Sequence, residues 1–330
     1  MSFRALLPLL VVACGSASEA PASTSSPAQA LPRPAKRGLP WGGATVHLSV
    51  DDVPLQIERT TPMPLSPSAV KALNEAVIAG LGATPASALV VCDRLQEGDE
   101  TLPMWRAAGH TIGNHTQTHV ALKHVGADAW LRDARACHDT LDARLGQAPK
   151  WLRYPYLDYG VNREQRDAVT AGLAAMGERS APVTVATSEW MFAYAYRRAV
   201  AAGDAERQRA IVADFHRHMD AALEEGLEMA AEVPGRNLPQ VVLVHLNELV
   251  RDEVARLIQR WRARGVRFIG LEEAMADPVF QRTNHWTTGA GISWLKRIRT
   301  ADDPPRRYWF GEEEGRVVAR WGPMPIAGEE

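Results

Sequence analysis

Cysteine is scarce in this sequence, with Cys14, Cys92 and Cys137 the three among 330 residues. Three cysteines are too few for a disulfide-rich scaffold, and their spacing matches neither a zinc ribbon nor a CxxC redox pair. We expect Cys92 and Cys137 to be buried thiols, although export from the cell would permit a bridge between them. A fold held together mainly by disulfides is therefore excluded.

An excess of charge of either sign is also missing. Lys and Arg total 37, Asp and Glu total 39, and the formal net charge is -2. Nucleic-acid binding is disfavoured, because no surplus of basic residues exists to displace counterions from phosphates. Apolar residues make up 46% of the chain, which is enough to drive folding. The length suits one barrel-sized domain or two smaller ones.

Long apolar runs are absent too, and the amino terminus has only a short one, over residues 5–13 after Arg4. A transmembrane helix needs about 20 apolar residues, so residues 1–13 are predicted to be a secretory signal peptide. The sequence Val11-Val12-Ala13-Cys14 resembles a bacterial lipobox, which implies cleavage before Cys14 and lipid attachment to it. An ordinary signal peptide with a cysteine near the cut by chance is the alternative.

The segment from Cys14 to residue 40 is rich in Ser, Ala and Pro and is predicted to be a flexible tether behind the lipid. A folded domain is assigned to residues 41–282, and a Trp-rich extension to residues 283–330. The tryptophans of that extension are expected to be buried anchors, with sugar stacking as the alternative. The chain is expected to be exported and lipid-anchored to the cell envelope. Because Gly15 is not a retaining Asp, the outer membrane is favoured where two membranes exist.

Strand-like and helix-like patterns alternate through the folded domain. Strands are predicted at 46–50, 88–92, 110–114, 150–154, 183–187, 241–245 and 266–270. Helices are predicted at 66–80, 102–108, 127–145, 163–176 and 253–264. An apolar stripe of Ile211, Phe215, Met219, Leu223 and Leu227 predicts a further helix packed on the wall of the domain. This alternation favours a parallel sheet with helical crossovers.

Candidate functional residues cluster at the carboxyl ends of three predicted strands. Asp51 and Asp52 close the first strand, His115 and His119 follow the third, and His245 closes a late one. In parallel α/β barrels these ends line the active site, so the side chains are expected to meet. Each feature alone is unspecific, because Asp-Asp pairs are common in turns and an HxxxH pair aligns its imidazoles only in a helix.

Five short motifs follow one another in order through the folded domain. They are Ser49-Val50-Asp51-Asp52-Val53, His115-Thr116-Gln117-Thr118-His119, Arg153-Tyr154-Pro155-Tyr156, Glu189-Trp190 and Leu243-Val244-His245. In this order the chain resembles the polysaccharide deacetylase family, carbohydrate esterases that share the NodB homology domain. The resemblance covers residues 45–275 and implies an α/β fold, a distorted (β/α) barrel with seven strands rather than eight.

The resemblance also implies a metal site with a base beside it. Asp52, His115 and His119 are the implied ligands of Zn²⁺, with Co²⁺ or Ni²⁺ as other possible ions. One carboxylate and two imidazoles leave positions open for water and substrate, as a catalytic metal requires. Asp51 is the implied base, and Arg153 would hold and orient it through a charge-assisted bond.

An acid, an oxyanion hole and a pocket complete what the resemblance implies. His245 would protonate the leaving group, with Glu189 tuning or orienting it. The backbone N–H of Tyr156 would help to bind the oxyanion, while Leu243 and Trp190 would line the substrate pocket.

Three positions depart from the family motifs, since Val53 replaces Gly, Glu189 replaces Asp and Tyr154 stands where Pro is frequent. A β-branched residue disfavours positive φ, so at Val53 either the turn takes another conformation or the strand continues. The extra methylene of Glu189 changes the reach of its contact to His245.

The expected function is hydrolytic removal of N-acetyl groups, or also O-acetyl groups, from a cell-wall or extracellular polysaccharide, peptidoglycan included. Two alternatives stay open. One is a carbohydrate-binding lipoprotein that has lost catalysis, and the other is an amidohydrolase acting on a small or lipid-linked amide. An open groove would favour a polymer, and a closed pocket a small substrate.

Overall fold

The structure is a computed structural model that describes residues 41–57, 65–286, 291–300 and 309–324. All of these residues belong to one compact unit, Arg37–Glu330. The predicted signal peptide, Cys14 and the tether lie outside the described residues. Among the described helices, none combines the length and apolar character needed to cross a bilayer.

Seven parallel strands form the sheet in the described part of the chain. They are β1 (Thr45–Val53), β2 (Ala86–Val90), β3 (Thr111–Asn114), β4 (Trp151–Leu152), β5 (Arg179–Ser180), β6 (Gln240–His245) and β7 (Arg267–Phe268). Their order is β5-β4-β3-β2-β1-β6, and β7 pairs with the beginning of β1. The predicted distorted (β/α) barrel with a curled parallel sheet is confirmed.

The barrel wall continues from β5 to β6 through an irregular segment. Residues 183–187, predicted as a strand, make a single bridge there, between Val185 and Val242. Thr184 Oγ1 accepts a backbone N–H of β6 at 2.8 Å, and Thr187 Oγ1 donates to a β6 carbonyl at 2.7 Å. The predicted strand is therefore present only as this bridge: backbone bonds join Val185 to Val241 and Leu243 at 3.0 and 3.2 Å, and threonine hydroxyls bond β6 on either side.

Helices surround the sheet and fill the crossovers between strands. Within the described ranges they are α1 (Pro67–Leu81), α2 (Thr101–Ala107), α3 (Leu122–Leu145), α4 (Arg163–Ala175), α5 (Glu189–Ala201), α6 (Ala205–Glu232), α7 (Glu248–Ala263), α8 (Leu271–Met275), α9 (Trp294–Arg297) and α10 (Trp309–Trp321). Helix α3 begins before the predicted residue 127, although Gly126 breaks its first turn with φ 78°. Helix α7 also begins early, because Asn247 caps it by accepting the N–H of Val250 at 3.0 Å.

Two apolar cores lie against the sheet. The larger core contains the predicted stripe of α6, whose five residues from Ile211 to Leu227 are buried, so the prediction that this helix packs on the wall is confirmed. Trp321 of α10 joins the same core. Trp294 of α9 lies in the second core with Trp130 and Tyr154. Trp294 and Trp321, two of the four tryptophans in residues 283–330, therefore act as packing anchors rather than exposed sugar platforms.

Cys92 and Cys137 form a disulfide bond, so the expectation of two thiols is wrong. The bond joins the short 3-10 turn Cys92–Arg94, which follows β2, to the middle of α3. Backbone N–H groups of this turn donate to the carbonyl oxygens of Thr116 and Gln117, at 3.2 and 3.0 Å. The disulfide thereby supports the loop that carries His115 and His119.

Candidate metal centre and active site

Strand β1 brings two adjacent carboxylates, Asp51 and Asp52, to the carboxyl edge of the sheet. Both are buried, with 2% and 5% of their surface exposed. The positive φ falls on Asp52, at 63°, and Asp tolerates this region better than most residues. The strand continues through Val53, so the valine at the family's glycine position needs no positive φ.

A tight loop, rather than a helix, brings His115 and His119 together. Positive φ angles at Thr116 (67°) and His119 (58°) turn the chain back, and the two imidazole centroids lie 4.8 Å apart. The N–H of Thr116 donates to Asn114 Oδ1 at 2.7 Å, and the N–H of His119 donates to Thr116 Oγ1 at 3.1 Å. Hydrogen bonds between side chains and backbone N–H groups therefore hold this non-helical loop in its conformation.

Asp52, His115 and His119 each offer one ligand atom, and these atoms lie within 4.8 Å of one another. Asp52 Oδ1 is 3.2 Å from His119 Nε2 and 3.8 Å from His115 Nε2. His115 Nδ1 donates to the carbonyl oxygen of Arg153 at 2.8 Å, which directs Nε2 toward Asp52. Burial, together with the charge of His119, holds the pKa of His115 well below its ordinary value. A neutral imidazole oriented through its second nitrogen is the form that binds metals.

The donor set fits a divalent transition metal such as zinc. Two imidazoles and one carboxylate form the kind of three-residue site that catalytic zinc uses. Asp52 Oδ1 is buried and accepts no hydrogen bond, as expected for an oxygen that binds a cation. Burial alone would raise the pKa of Asp52, but the charges of His119 and Arg94 lower it below its ordinary value, so the carboxylate is ionised.

Arg94 is a site residue that sequence reasoning missed. Its Nη1 lies 3.3 Å from Asp52 Oδ1 and donates to the carbonyl oxygen of Leu55 at 3.0 Å. Only 9% of its side chain is exposed. The sequence offered one indication of this role. Arg94 lies just after β2, and β2 ends at the same edge of the sheet as β1.

Arg153 holds Asp51 as the resemblance implied. Its Nη1 lies 3.1 and 3.0 Å from the two carboxylate oxygens of Asp51. Nε donates to the carbonyl oxygen of Ala181 at 2.6 Å, and Nη2 to Ser49 Oγ at 3.2 Å. Burial raises the pKa of Asp51 to about 6, against the opposing charges of Arg153 and His245. This carboxylate is therefore a stronger base than an exposed aspartate.

Glu189, the first residue of α5, contacts His245 at the end of β6. Its Oε2 accepts the imidazole Nδ1–H and the backbone N–H of His245, both at 3.0 Å, so the longer side chain keeps this contact. Asn247, which sequence reasoning also missed, donates to Glu189 Oε1 at 2.6 Å. Burial alone would lower the pKa of His245, but the hydrogen bond and charge of Glu189 raise it to about 9. The imidazole is therefore protonated at neutral pH.

Tyr156 and Leu157 follow Arg153 in the 3-10 turn Pro155–Leu157, with φ angles of 57° and 49°. The ring of Tyr156 lies 4.6 Å from that of His119. Leu243 packs with Leu157 in a small apolar cluster. Trp190, in contrast, is partly buried against the larger core.

The family comparison agrees with this geometry. A family model described as polysaccharide deacetylase matches residues 41–175. Over these residues the chain is similar to the polysaccharide deacetylase family. The matched segment carries Asp51, Asp52, His115, His119 and Arg153.

Several solved structures of polysaccharide deacetylases and carbohydrate esterases resemble this chain. T48 deacetylase with substrate is 18% identical, with 71% of this chain and 91% of that chain covered and a TM-score of 0.47. Peptidoglycan deacetylase PdaC from Bacillus subtilis is 19% identical, with 72% and 94% covered and a TM-score of 0.46. A mutant of BA3943, a CE4 family pseudoenzyme, is 16% identical, with 74% and 72% covered and a TM-score of 0.49. No curated protein matches the chain.

Proposed function

We propose that this protein is a metal-dependent hydrolase of the polysaccharide deacetylase family that removes acetyl groups, N-linked or also O-linked, from an acetylated polysaccharide such as peptidoglycan. One observation carries the proposal. A buried carboxylate base, Asp51, and a protonated imidazole, His245, lie beside one cluster of three metal-binding side chains, because Asp51 and His245 pair in register on neighbouring strands.

Asp52, His115 and His119 would hold the metal, for which Zn²⁺ is the best fit and Co²⁺ or Ni²⁺ are further candidates. A bound zinc ion would activate water and polarise a carbonyl group. The carbonyl oxygen of Arg153 fixes the orientation of His115 from the opposite side of the ring. This support keeps the metal-facing nitrogen in place without any contribution from solvent.

Asp51 would accept the proton of the attacking water. A carboxyl group with a pKa near 6 is ionised at neutral pH and still basic enough to take that proton. Arg153 fixes the carboxylate through both oxygens, so the base is oriented before substrate arrives. The same arginine is fully buried, which shields this pair from competition by water.

His245 would donate a proton to the leaving group, which is an amine in an N-acetyl substrate. Amines leave poorly unless they are protonated, and His245 is charged at neutral pH because Glu189 stabilises the imidazolium. Negative charge that develops on the carbonyl oxygen would meet the backbone N–H of Tyr156. Leu243, packed beside Leu157, would receive the acetyl methyl group.

Acetate release tests the proposed reaction. The purified protein, loaded with Zn²⁺, is expected to release acetate from at least one of chitooligosaccharide, acetylated xylan and peptidoglycan. Asp51→Asn is expected to lower kcat by about 100-fold or more, because general base catalysis is lost. Asp128→Asn changes an exposed aspartate of α3 in the same way and should leave kcat unchanged. Full activity of Asp51→Asn would refute the assigned base.

Metal analysis tests the ligand set and separates the alternatives. We expect one zinc ion per chain in the untreated protein and its loss in His115→Ala, whereas His124→Ala, an exposed histidine of α3, should keep it. A protein that binds glycan without metal and releases no acetate would instead be the carbohydrate-binding lipoprotein. Acetate release from small amides alone would identify an amidohydrolase.

A further inference from the structure

The geometry points to Arg297, at the end of the short helix α9, as a positioning residue for the Tyr156–Leu157 turn. We propose that it fixes the turn that presents the oxyanion donor and one side of the acetyl pocket. This inference rests on the proposed function, which assigns Tyr156 and Leu243 to those tasks. Nothing in the motifs points to Arg297, which lies outside all five of them.

The turn needs support from other parts of the chain, because two consecutive non-glycine residues in it have positive φ. Tyr156 and Leu157 stand at 57° and 49°. L-amino acids adopt this region only where surrounding contacts hold them there. Within the turn, the N–H of Leu157 donates to Tyr154 at 3.0 Å and the N–H of Asp158 donates to Pro155 at 3.1 Å. These local bonds close a 3-10 turn but do not anchor it to the barrel.

Arg297 supplies such an anchor. Its Nη2 donates to the carbonyl oxygen of Leu157 at 2.6 Å, and its Nε donates to the carbonyl oxygen of Ile292 at 3.2 Å. The guanidinium carbon lies 4.4 Å from the ring centroid of Tyr159, which stacks on Tyr154. With 1% of its surface exposed, Arg297 joins the turn to its own segment at a site that water does not reach.

Gly291 holds the same turn from the other side. A Cβ atom at this position would lie 2.3 Å from the carbonyl oxygen of Tyr156, so the backbone approaches as closely as only glycine permits. The N–H of Trp294 donates to the carbonyl oxygen of Val183 at 2.6 Å, which fastens this segment to the barrel wall. Residues 291–297 therefore hydrogen-bond the carbonyl of Leu157 and pack closely against the carbonyl of Tyr156.

Contacts with these two carbonyl groups limit rotation about the backbone of Tyr156 and Leu157. Such rotation would move the Tyr156 N–H and would shift the Leu157 side chain away from Leu243. An oxyanion donor is effective only when it is oriented before the reaction, and a displacement of about 1 Å can cost roughly 100-fold in rate. Arg297 is therefore expected to act on turnover rather than on substrate affinity.

Arg297→Gln tests the assignment by two readouts. We expect kcat for acetate release to fall about 10- to 100-fold while KM changes less than about threefold, because ground-state binding is retained. Hydrogen exchange of the peptide covering residues 153–160 should accelerate, while peptides of β1 and β2 keep their protection. If Arg297 only stabilised the fold in general, hydrogen exchange in Arg297→Gln would accelerate in all three regions.

Lys296→Gln is the matched control. Lys296 is the neighbouring buried cation of α9, but its Nζ lies 3.3 Å from Glu225 Oε1 and serves a different contact. We expect unchanged kcat and unchanged exchange over 153–160 in this variant. An equal loss in both variants would overturn the inference, since any buried cation of α9 would then serve.

Gly291→Ala keeps the test decisive if Arg297→Gln does not fold. The added methyl group would press on the Tyr156 carbonyl and should produce the same fall in kcat and the same local exchange. Native kcat and native exchange over 153–160 in the folded variants would overturn the inference. If the wild type releases no acetate from any substrate, the proposed function fails, while the exchange measurement still decides whether Arg297 holds the turn.

Discussion

Arg94 places a fixed positive charge beside the carboxylate assigned to the metal. Its Nη1 is 3.3 Å from Asp52 Oδ1, and burial of both groups limits screening by water. A guanidinium at this distance repels an incoming metal ion. It also partly neutralises the carboxylate oxygen that would bind that ion. The native site is therefore expected to bind metal less tightly than its three ligands would allow.

Arg94→Gln should bind Zn²⁺ about tenfold more tightly, or ~1.4 kcal/mol, because the repelling charge is gone. The glutamine amide keeps a polar side chain at this position but carries no charge. Affinity is measured by competition with a chelator. Arg144→Gln changes an exposed arginine of α3 and should not alter the affinity. Weaker binding in Arg94→Gln would show that orientation of Asp52 outweighs repulsion.

Glu189 influences the pH at which His245, the proposed acid, loses its proton. His245 donates only while protonated, so kcat should fall as pH rises through its pKa, which Glu189 raises to about 9. Glu189→Gln removes the stabilising charge, and the alkaline limb of the pH–rate profile should move to lower pH. Glu248→Gln, at another glutamate of the wall, is the control and should leave this limb in place. An unmoved limb in Glu189→Gln would exclude His245 as the titrating acid.

The turn Cys92–Arg94 supports two parts of the site at once. Its backbone donates to the loop that carries the ligand histidines, while Arg94 reaches Asp52. The disulfide fixes this turn to α3 across 45 residues of sequence. Loss of the bond is therefore expected to affect both stability and the metal site.

The Cys92→Ala/Cys137→Ala variant should lose about 2–4 kcal/mol of unfolding free energy, since a loop of this length costs entropy to close in the unfolded chain. Urea denaturation of the variant and of the wild type measures the difference. Addition of a reductant should lower the stability of the wild type to that of the variant and leave the variant unchanged. A variant as stable as the oxidised wild type would contradict a structural bond.

Local patterns were sufficient to predict which side chains lie close together wherever polar residues end an apolar strand. The ends of β1, β3 and β6 carry Asp51, His115 and His245, and the structure brings them to one edge of the sheet. Arg94 and Asn247 were missed because each acts through a tertiary contact without a motif of its own. The strand predicted at residues 183–187 is reduced to a single bridge, because alternation of residue types cannot reveal that threonine side chains supply part of the bonding to β6.

Export and lipid attachment concern the full chain and remain predictions from Cys14 and the residues before it. We propose that the protein is a lipoprotein of the cell envelope whose tether lets the barrel reach polymer at a distance. Cys14→Ser should abolish incorporation of labelled palmitate and release the protein from the membrane fraction. Retention of the label in Cys14→Ser would contradict the lipobox assignment. A variant of the tether, Ser18→Ala, should stay anchored.

Residues 291–297, which contact the Tyr156–Leu157 turn, follow that turn by more than 100 residues in the sequence. They are therefore synthesised well after it. Tyr156 leaves the ribosome about 140 residues before Arg297, since residues are added from the amino terminus. Until then the turn lacks the contacts of residues 291–297 that hold it. A nascent chain therefore carries Asp51, Asp52, His115 and His119 early, whereas the contacts that support the turn proposed to bind the oxyanion can form only when synthesis is nearly complete.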